Sequence, residues 1–324
     1  MGDREILVSI DHLSTWFHTG TGLLGKQTVK AVDDISLDIY RGETFGLVGE
    51  SGCGKSTLGR TLVKLHEPTA GQILLKGKNI GKLSGAELKS FRKSVQLIFQ
   101  DPYASLNPRM TVGEIIREPM VIHQLYATRK EQDDKVAELL RLVGLSPDHV
   151  RRYPHEFSGG QRQRIAIARA LALSPEFIVC DEPVSALDVS IQAQIINLLR
   201  QIQRELGITY LFIAHDLSMV QHISDRIGVM YLGQIVELGE SRELYKKPLH
   251  PYTQALVSAV PLPDPEAEKA KPRVRLHGEL PSSFAPLSGC PFRPRCPLAA
   301  ARCAEEKPQL REVNGHLVSC HKAG

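Results

Sequence analysis

One segment constrains this chain more than any other. Residues 49–56 read Gly-Glu-Ser-Gly-Cys-Gly-Lys-Ser and fit the pattern G-x-x-x-x-G-K-[ST]. The apolar run Thr44–Val48 precedes the pattern, and the residues after it read as the start of a helix. This context favours a phosphate-binding loop, because glycines let the backbone approach an anion and a helix N-terminus offers free N–H groups. Lys55 would contact the β- and γ-phosphates and Ser56 would ligate Mg²⁺. A chance glycine-rich turn is the alternative, which the flanking elements disfavour.

Composition narrows the class of protein. The 324 residues are 42% hydrophobic and 23% charged, which is typical of globular proteins. A net charge of +4 is a mild basic excess, weaker than the basic stripe of most nucleic-acid-binding proteins, so no nucleic-acid partner is predicted. No apolar run is long enough to cross a bilayer, and the first residues lack the layout of a secretory signal. We therefore expect a protein of the cytosol, or one held on the cytosolic face of a membrane by a partner.

The order of strand-like and helical segments predicts the fold class. Apolar strand-like runs, the first at Ile6–Ile10, alternate with helical ones, which predicts an α/β fold with a largely parallel, covered sheet. From about 103 to 165 the periodicity is helical, as in Val112–Glu118 and Lys130–Val143, and predicts an inserted helical subdomain. Prolines crowd the chain beyond Pro248 and interrupt regular elements, although a short helix fits Tyr252–Ala259. We predict a domain at 1–247 and a C-terminal extension at 248–324.

Two further segments suit phosphate chemistry. The apolar strand Phe177–Cys180 ends in two carboxylates, of which Asp181 is placed to hold Mg²⁺ and Glu182 to orient or deprotonate a water. Ser158 and the two glycines after it begin an arginine-rich helix and form a second anion site. One nucleotide needs one phosphate cradle, so the second cradle is predicted to serve a nucleotide on another copy. The plainer alternatives are surface acids at a strand end and an ordinary Ser-Gly-Gly helix start.

The segment that begins the arginine-rich helix carries a family resemblance. Phe157-Ser158-Gly159-Gly160-Gln161 resembles the signature of ATP-binding cassette ATPases, with Phe where Leu is commonest. The resemblance implies that Gln100 senses Mg²⁺ and faces a transmembrane partner, that Ser185–Asp188 crosses a dimer interface, and that His215 contacts the γ-phosphate. It implies a P-loop NTPase core with a mostly parallel sheet and an antiparallel β subdomain, in which two subunits join head to tail. Each ATP then lies between one phosphate loop and the opposite signature.

The same resemblance yields a full set of site residues. It places an aromatic adenine platform at Phe17, with Trp16 as the alternative, although either ring can equally be part of the core. The implied catalytic residues are Lys55, Glu182 and His215. The implied nucleotide-contacting residues are Phe17, Gly49, Ser51, Gly52, Gly54, Lys55, Ser56, Thr57, Gln100, Ser158, Gly159, Gly160, Gln161, Asp181 and Asp188. The implied Mg²⁺ ligands are Ser56, Gln100 and Asp181.

Four of the six cysteines crowd the C-terminal segment: Cys290, Cys296, Cys303 and Cys320. In a reducing cytosol such a cluster indicates metal binding rather than disulfides. The spacing lacks both the tight cysteine pair of structural zinc and the common ferredoxin patterns, so it does not choose between Zn²⁺ and an iron–sulfur cluster. Three arginines among these cysteines could offset the charge of a thiolate-bound cluster: Arg293, Arg295 and Arg302.

A closer resemblance covers nearly the whole chain. Phe99–Arg109 and the tail from Pro248 to Phe292 are similar to the ATP-binding subunits of bacterial oligopeptide/dipeptide importers. This implies a [4Fe–4S] cluster on the four cysteines, with Zn²⁺ as the alternative. It also implies ATP-driven uptake of di- and oligopeptides, and a peripheral position on the cytoplasmic face of the inner membrane.

The importer resemblance also implies a set of partners. These are a second ATP-binding subunit in a heterodimer, two permease subunits and an extracytoplasmic peptide-binding protein. The alternatives are an importer ATPase for nickel or another small solute, and a soluble cassette ATPase without a transport role. A metal or redox sensor is a third reading, which the intact Glu182 and His215 disfavour.

Overall fold

The computed structural model describes residues 4–19, 27–261 and 288–323, together with positions 264, 266, 269 and 276. In chain order the strands are β1 (Ile6–Thr19), β2 (Gln27–Tyr40), β3 (Thr44–Val48), β4 (Ala70–Leu75), β5 (Lys78–Asn79), β6 (Val95–Ile98), β7 (Phe177–Asp181), β8 (Thr209–Ala214), β9 (Arg226–Tyr231), β10 (Gln234–Glu240), β11 (Arg311–Val313) and β12 (His316–Val318).

The helices among these residues are α1 (Lys55–Leu62), α2 (Gly85–Ser94), α3 (Pro102–Ser105), α4 (Val112–Ile122), α5 (Arg129–Leu142), α6 (Gly159–Leu171), α7 (Val189–Leu206), α8 (Leu217–Ile223), α9 (Ser241–Lys246), α10 (Pro251–Ala259) and α11 (Arg302–Glu305). None of them combines the length and the apolar character that a membrane span requires.

The described residues fall into two compact units. The first comprises Met1–Leu7, Tyr40–Glu43 and Lys82–Phe212. In it β6 and β7 pair in parallel, with Ile98 opposite Cys180, and the strand order is β8-β7-β6. Every residue of β7 is buried, as expected for a strand covered on both faces.

Helices α4, α5 and α6 pack on one another in this first unit. Both α4 and α5 begin in capping boxes, in which Thr111 pairs with Glu114 and Thr128 with Glu131. These boxes satisfy amides that a helix start otherwise leaves unbonded. Helix α4 continues to Ile122, four residues beyond the stretch 112–118 predicted from the periodicity. The helices occupy the region where the inserted subdomain was predicted, and its boundaries stay a prediction.

The second unit comprises Val8–Ile39, Thr44–Gly81 and Ile213–Gly324, as far as these residues are described. It contains parallel β3 and β9, followed by antiparallel neighbours in the order β3-β9-β10-β12-β11. A separate four-stranded sheet has the order β2-β1-β4-β5, in which β4 is antiparallel to β1 and to β5. The predicted combination of parallel core pairs and an antiparallel β subdomain is confirmed.

A buried carboxylate joins the C-terminal segment to β10 within the second unit. Glu237 accepts hydrogen bonds from the backbone N–H groups of Leu249 (3.0 Å) and His250 (2.8 Å). The Nδ1 atom of His316, on β12, lies 2.8 Å from the same carboxylate. These three partners satisfy the carboxylate of Glu237. A buried carboxylate without partners would destabilise the fold.

Several elements differ from their sequence-based prediction. The N-terminal strand predicted at Ile6–Ile10 runs on to Thr19 as β1, and α2 and the β11–β12 hairpin were not predicted. The short helix predicted at Tyr252–Ala259 is confirmed as α10. Most of the predicted extension between 262 and 287 lies outside the described residues.

Candidate functional site

The loop at residues 49–54 joins β3 to α1 and requires glycine at two positions. Gly54 has a φ of +107°, which L side chains rarely adopt. A Cβ at Gly54 would collide with the carbonyl oxygen of Ala31, and one at Gly49 with that of Met230. Ser51, which is predicted to contact the nucleotide, is exposed in this loop. The loop therefore has the close backbone packing that its sequence pattern predicts.

Lys55 opens α1 and folds back onto the loop. Its Nζ donates to the carbonyl oxygens of Gly49 (2.8 Å) and Glu50 (3.0 Å). Burial raises the pKa of the neighbouring Cys53 thiol, although the lysine charge acts in the opposite direction. Gly54 caps α1 without a side-chain hydrogen bond. The N–H groups in the first turn of an α-helix have no acceptor within the helix itself. A buried ammonium and these amides together suit a phosphate group.

The phosphate loop also receives contacts that sequence reasoning missed. The backbone N–H of Glu50 donates to the Tyr252 hydroxyl (2.8 Å). The carboxylate of Glu50 accepts two hydrogen bonds from Arg295, at 2.7 and 3.0 Å. The pattern treats position 50 as variable, so it carried no signal for these bonds. Two of the three arginines among the cysteines have carboxylate partners, since Arg295 pairs with Glu50 and Arg302 with Glu306.

The two candidate adenine platforms on β1 differ in exposure. Phe17 is exposed, and its ring meets His66 edge-on with centroids 5.3 Å apart. Trp16 is half-buried, and the Nζ of Lys30 lies 4.5 Å above its ring. Phe17, the platform that the resemblance favours, is therefore the more exposed of the two rings.

Two candidate residues of the first unit lie together where β6 and β7 end. The register that pairs Ile98 with Cys180 brings Gln100 and Glu182 to the same sheet edge, each two residues further along. The Gln100 Nε2 donates to Glu182 Oε2 at 2.7 Å. Asp181 is buried at the end of β7, and Glu182 has the left-handed φ of +47°. The backbone therefore turns sharply directly after Asp181 and directs the two consecutive carboxylates differently.

The Ser-Gly-Gly segment forms the start of α6. The Ser158 hydroxyl accepts from the N–H of Gln161 at 3.4 Å, and the Gln161 side chain accepts from the N–H of Ser158 at 3.0 Å. A Cβ at Gly160 would press against Ile191 of α7, and one at Gly159 would touch Leu187. The segment is thus packed against the loop Ser185–Asp188, for which the family resemblance implies a place at a dimer interface.

Two remaining candidates lie at element boundaries. Asp188 is exposed at the N-cap of α7, and its side chain makes no capping hydrogen bond. His215 is exposed directly after β8 and belongs to the second unit. Lys55 and its loop also belong to the second unit, whereas Gln100, Asp181, Glu182 and the Ser158 turn belong to the first.

The four C-terminal cysteines lie near one another. Burial raises the pKa values of the Cys290 and Cys296 thiols, and the charges of Cys303 and Cys320 raise both further. The N–H of Lys322 lies 3.3 Å from the Cys320 sulfur. Even so, no group of three or more His, Cys, Asp or Glu side chains among the described residues is arranged to hold a metal ion. The predicted [4Fe–4S] cluster, and Zn²⁺ as its alternative, are therefore not supported by this arrangement.

Comparison with known proteins agrees with the geometry. The ABC transporter family matches residues 32–185, and the C-terminal region of oligopeptide/dipeptide transporters matches residues 236–303. The chain is 62% identical over 321 residues to the oligopeptide transport ATP-binding protein OppF of Bacillus subtilis, covering 98% of this chain and 97% of that protein. It is 61% identical over 319 residues to the putative oligopeptide transport ATP-binding protein YkfD of the same organism, covering 98% and 96%.

A solved structure extends the likeness to the fold. The dimeric, post-hydrolysis ATP-binding cassette MJ0796, bound to ADP and Pi, superimposes with a TM-score of 0.65 at 28% identity, covering 72% of this chain and 99% of that one. The fold is therefore that of an ATP-binding cassette, as the sequence predicted. The chain belongs to the ABC transporter family of ATP-binding proteins and carries the C-terminal region of its oligopeptide/dipeptide transporters.

Proposed function

We propose that this chain is the ATP-hydrolysing subunit of an importer that takes up di- and oligopeptides through partner permeases. The observation that carries the proposal is the phosphate loop, in which the buried Lys55 ammonium lies on the carbonyls of Gly49 and Glu50 beside the first turn of α1. Near full-length similarity to oligopeptide transport ATP-binding proteins supports peptides as the solute.

The predicted catalytic residues and Mg²⁺ ligands each have a role in this proposal. Lys55 holds the β- and γ-phosphates, and Glu182, kept in place by Gln100, orients and deprotonates the attacking water. Ser56, Gln100 and Asp181 supply the hard oxygen ligands that Mg²⁺ prefers. Mg²⁺ held by them would neutralise charge on the phosphates.

We further propose that two ATP-binding subunits cooperate, as a heterodimer. The Ser158 turn, with its amides at the start of α6, would bind the nucleotide of the partner subunit. Asp188 would lie at that interface, and His215 would contact the γ-phosphate. Residues 1–247 would form the nucleotide-binding domain and 248–324 the extension. Permeases would hold the assembly on the cytoplasmic face of the membrane, together with an extracytoplasmic peptide-binding protein.

Reconstitution tests the importer proposal. The chain is purified with its permeases and second ATP-binding subunit, placed in liposomes and supplied with the binding protein. We expect ATP hydrolysis to rise when that protein carries a di- or oligopeptide, and to stay at the basal rate with Ni²⁺. Stimulation by Ni²⁺ alone would favour the nickel alternative. Hydrolysis that ignores both permeases and solutes would favour a soluble ATPase.

The four cysteines carry a separate proposal. A [4Fe–4S] cluster is the group that the resemblance implies for Cys290, Cys296, Cys303 and Cys320, and Zn²⁺ is the alternative. Iron and zinc content and the visible absorption of anaerobically purified chain test it. Cys296→Ser should abolish absorption by a cluster, and Cys180→Ala, in buried β7, is the matched control. A colourless wild-type chain without iron would exclude the cluster.

A further inference from the structure

The segment around Cys290 and Cys296 docks on the second unit through an aromatic side chain. Phe292 is 1% exposed and contacts Tyr231 of β9 and Tyr252 of α10, with ring centroids 5.2 and 5.5 Å away. Burial of an aromatic ring of this size stabilises such a contact. The short turn Arg293–Arg295 follows directly, so its position is determined by this contact.

Arg295, at the end of that turn, reaches the phosphate loop. Its two terminal nitrogens donate to the two carboxylate oxygens of Glu50, and the side chains are 9% and 24% exposed. The guanidinium also lies 6.0 Å above the ring of Tyr231. A bidentate pair that is mostly shielded from water is stronger and more directional than an exposed surface ion pair.

Glu50 is itself a structural part of the loop. Its carbonyl accepts from the Lys55 ammonium, and its N–H donates to the Tyr252 hydroxyl. Without Arg295 the carboxylate would stand unpaired in a loop that has to accept a polyanion. Repulsion between the carboxylate and the phosphates would then oppose binding.

We propose that Arg295 is a positioning residue for nucleotide binding, which neutralises Glu50 and holds it so that the loop presents Lys55 and its amides to a triphosphate. The proposal rests on the proposed function, because it assumes that the loop binds ATP. Under this proposal the C-terminal segment contributes to nucleotide binding through Arg295. Arg295 acts through Glu50 and is not itself a contact of the phosphates.

Equilibrium binding to the full chain tests this, with MgATP and MgADP each displacing a fluorescent ATP analogue. Arg295→Ala should weaken MgATP binding about tenfold, which corresponds to about 1.4 kcal/mol, and MgADP binding less because it carries one charge fewer. Arg293→Ala is the matched control. It removes the same charge from the same turn, whereas both carboxylate oxygens of Glu50 are bonded to Arg295. We expect it to bind within about twofold of wild type.

A second variant separates positioning from a general loss of structure. Glu50→Gln combined with Arg295→Ala removes the unpaired charge, so MgATP affinity should return to within about threefold of wild type. Wild-type affinity in Arg295→Ala, equal losses in both arginine variants, or no recovery in the double variant would each overturn the proposal. A wild-type chain that binds no MgATP would instead contradict the proposed function itself.

Discussion

Glu182→Gln tests the proposed base separately from the stability of the fold. The substitution keeps the shape of the side chain, and the amide oxygen can still accept the bond from Gln100 that is 2.7 Å long in the native chain. The side chain is half-buried, and replacing a charged acceptor by a neutral one costs about 1 kcal/mol of stability. Loss of a general base lowers turnover about 10²- to 10⁴-fold, or about 2.7 to 5.4 kcal/mol of barrier. The expected effect on rate therefore exceeds the expected effect on stability.

The assay measures phosphate release and MgATP binding in the same preparation of the chain with its partner subunits. We expect Glu182→Gln to bind MgATP as wild type does, to lose turnover and to accumulate the ATP-bound closed dimer. Glu176→Gln is the control, because its carboxylate pairs with Arg41 at 3.0 Å just before the same strand. Turnover above about one tenth of wild type in Glu182→Gln, or an equal loss in Glu176→Gln, would refute the assignment.

Three further predictions concern the phosphate loop and His250, which caps α10. Lys55→Ala removes a charged contact and should weaken MgATP binding about 10- to 100-fold in an equilibrium titration; unchanged affinity would contradict the phosphate-loop assignment. Gly54→Ala should lower the free energy of unfolding in urea more than Gly52→Ala, because both positions have a positive φ but an added Cβ meets backbone only at Gly54; equal losses would contradict this. Burial lowers the pKa of His250 to about 3. The imidazole of the unfolded chain binds its proton near pH 6.5, so the free energy of unfolding should fall by about 2 kcal/mol between pH 6.5 and 5. His250→Asn should flatten that pH dependence, and the asparagine can still cap α10.

The sequence predicted those parts of the site whose chemistry is local. The glycine loop depends on neighbours in the chain and on the backbone conformation at Gly54, and both are visible in a short pattern. The acids at the end of β7 could be predicted for the same reason, because a buried apolar run ending in Asp181 and Glu182 defines its own exit from the sheet. Their meeting with Gln100 required the strand register, which no single segment contains.

The C-terminal segment shows where prediction from the sequence stopped. Its prolines correctly indicated short elements, and β11 and β12 have three residues each. Of the two, β12 pairs with β10 beside Glu237, a buried acid whose hydrogen-bond partners lie 12 to 79 residues away. A charged residue in a strand pattern normally indicates a solvent-facing position, so the pattern could not reveal it.

The partner of Arg295 could not be predicted from the sequence either. In the sequence it stands beside Cys296, and its neighbours suggested a role in balancing thiolate charge. In the structure its partner is Glu50, 245 positions away, and the contact exists because Phe292 is buried beside Tyr231 and Tyr252. Charge pairs of this kind are specified by the packing of apolar residues around them, since a guanidinium alone can satisfy any nearby acid. A segment that resembles an appendage in the sequence therefore contacts the phosphate loop directly.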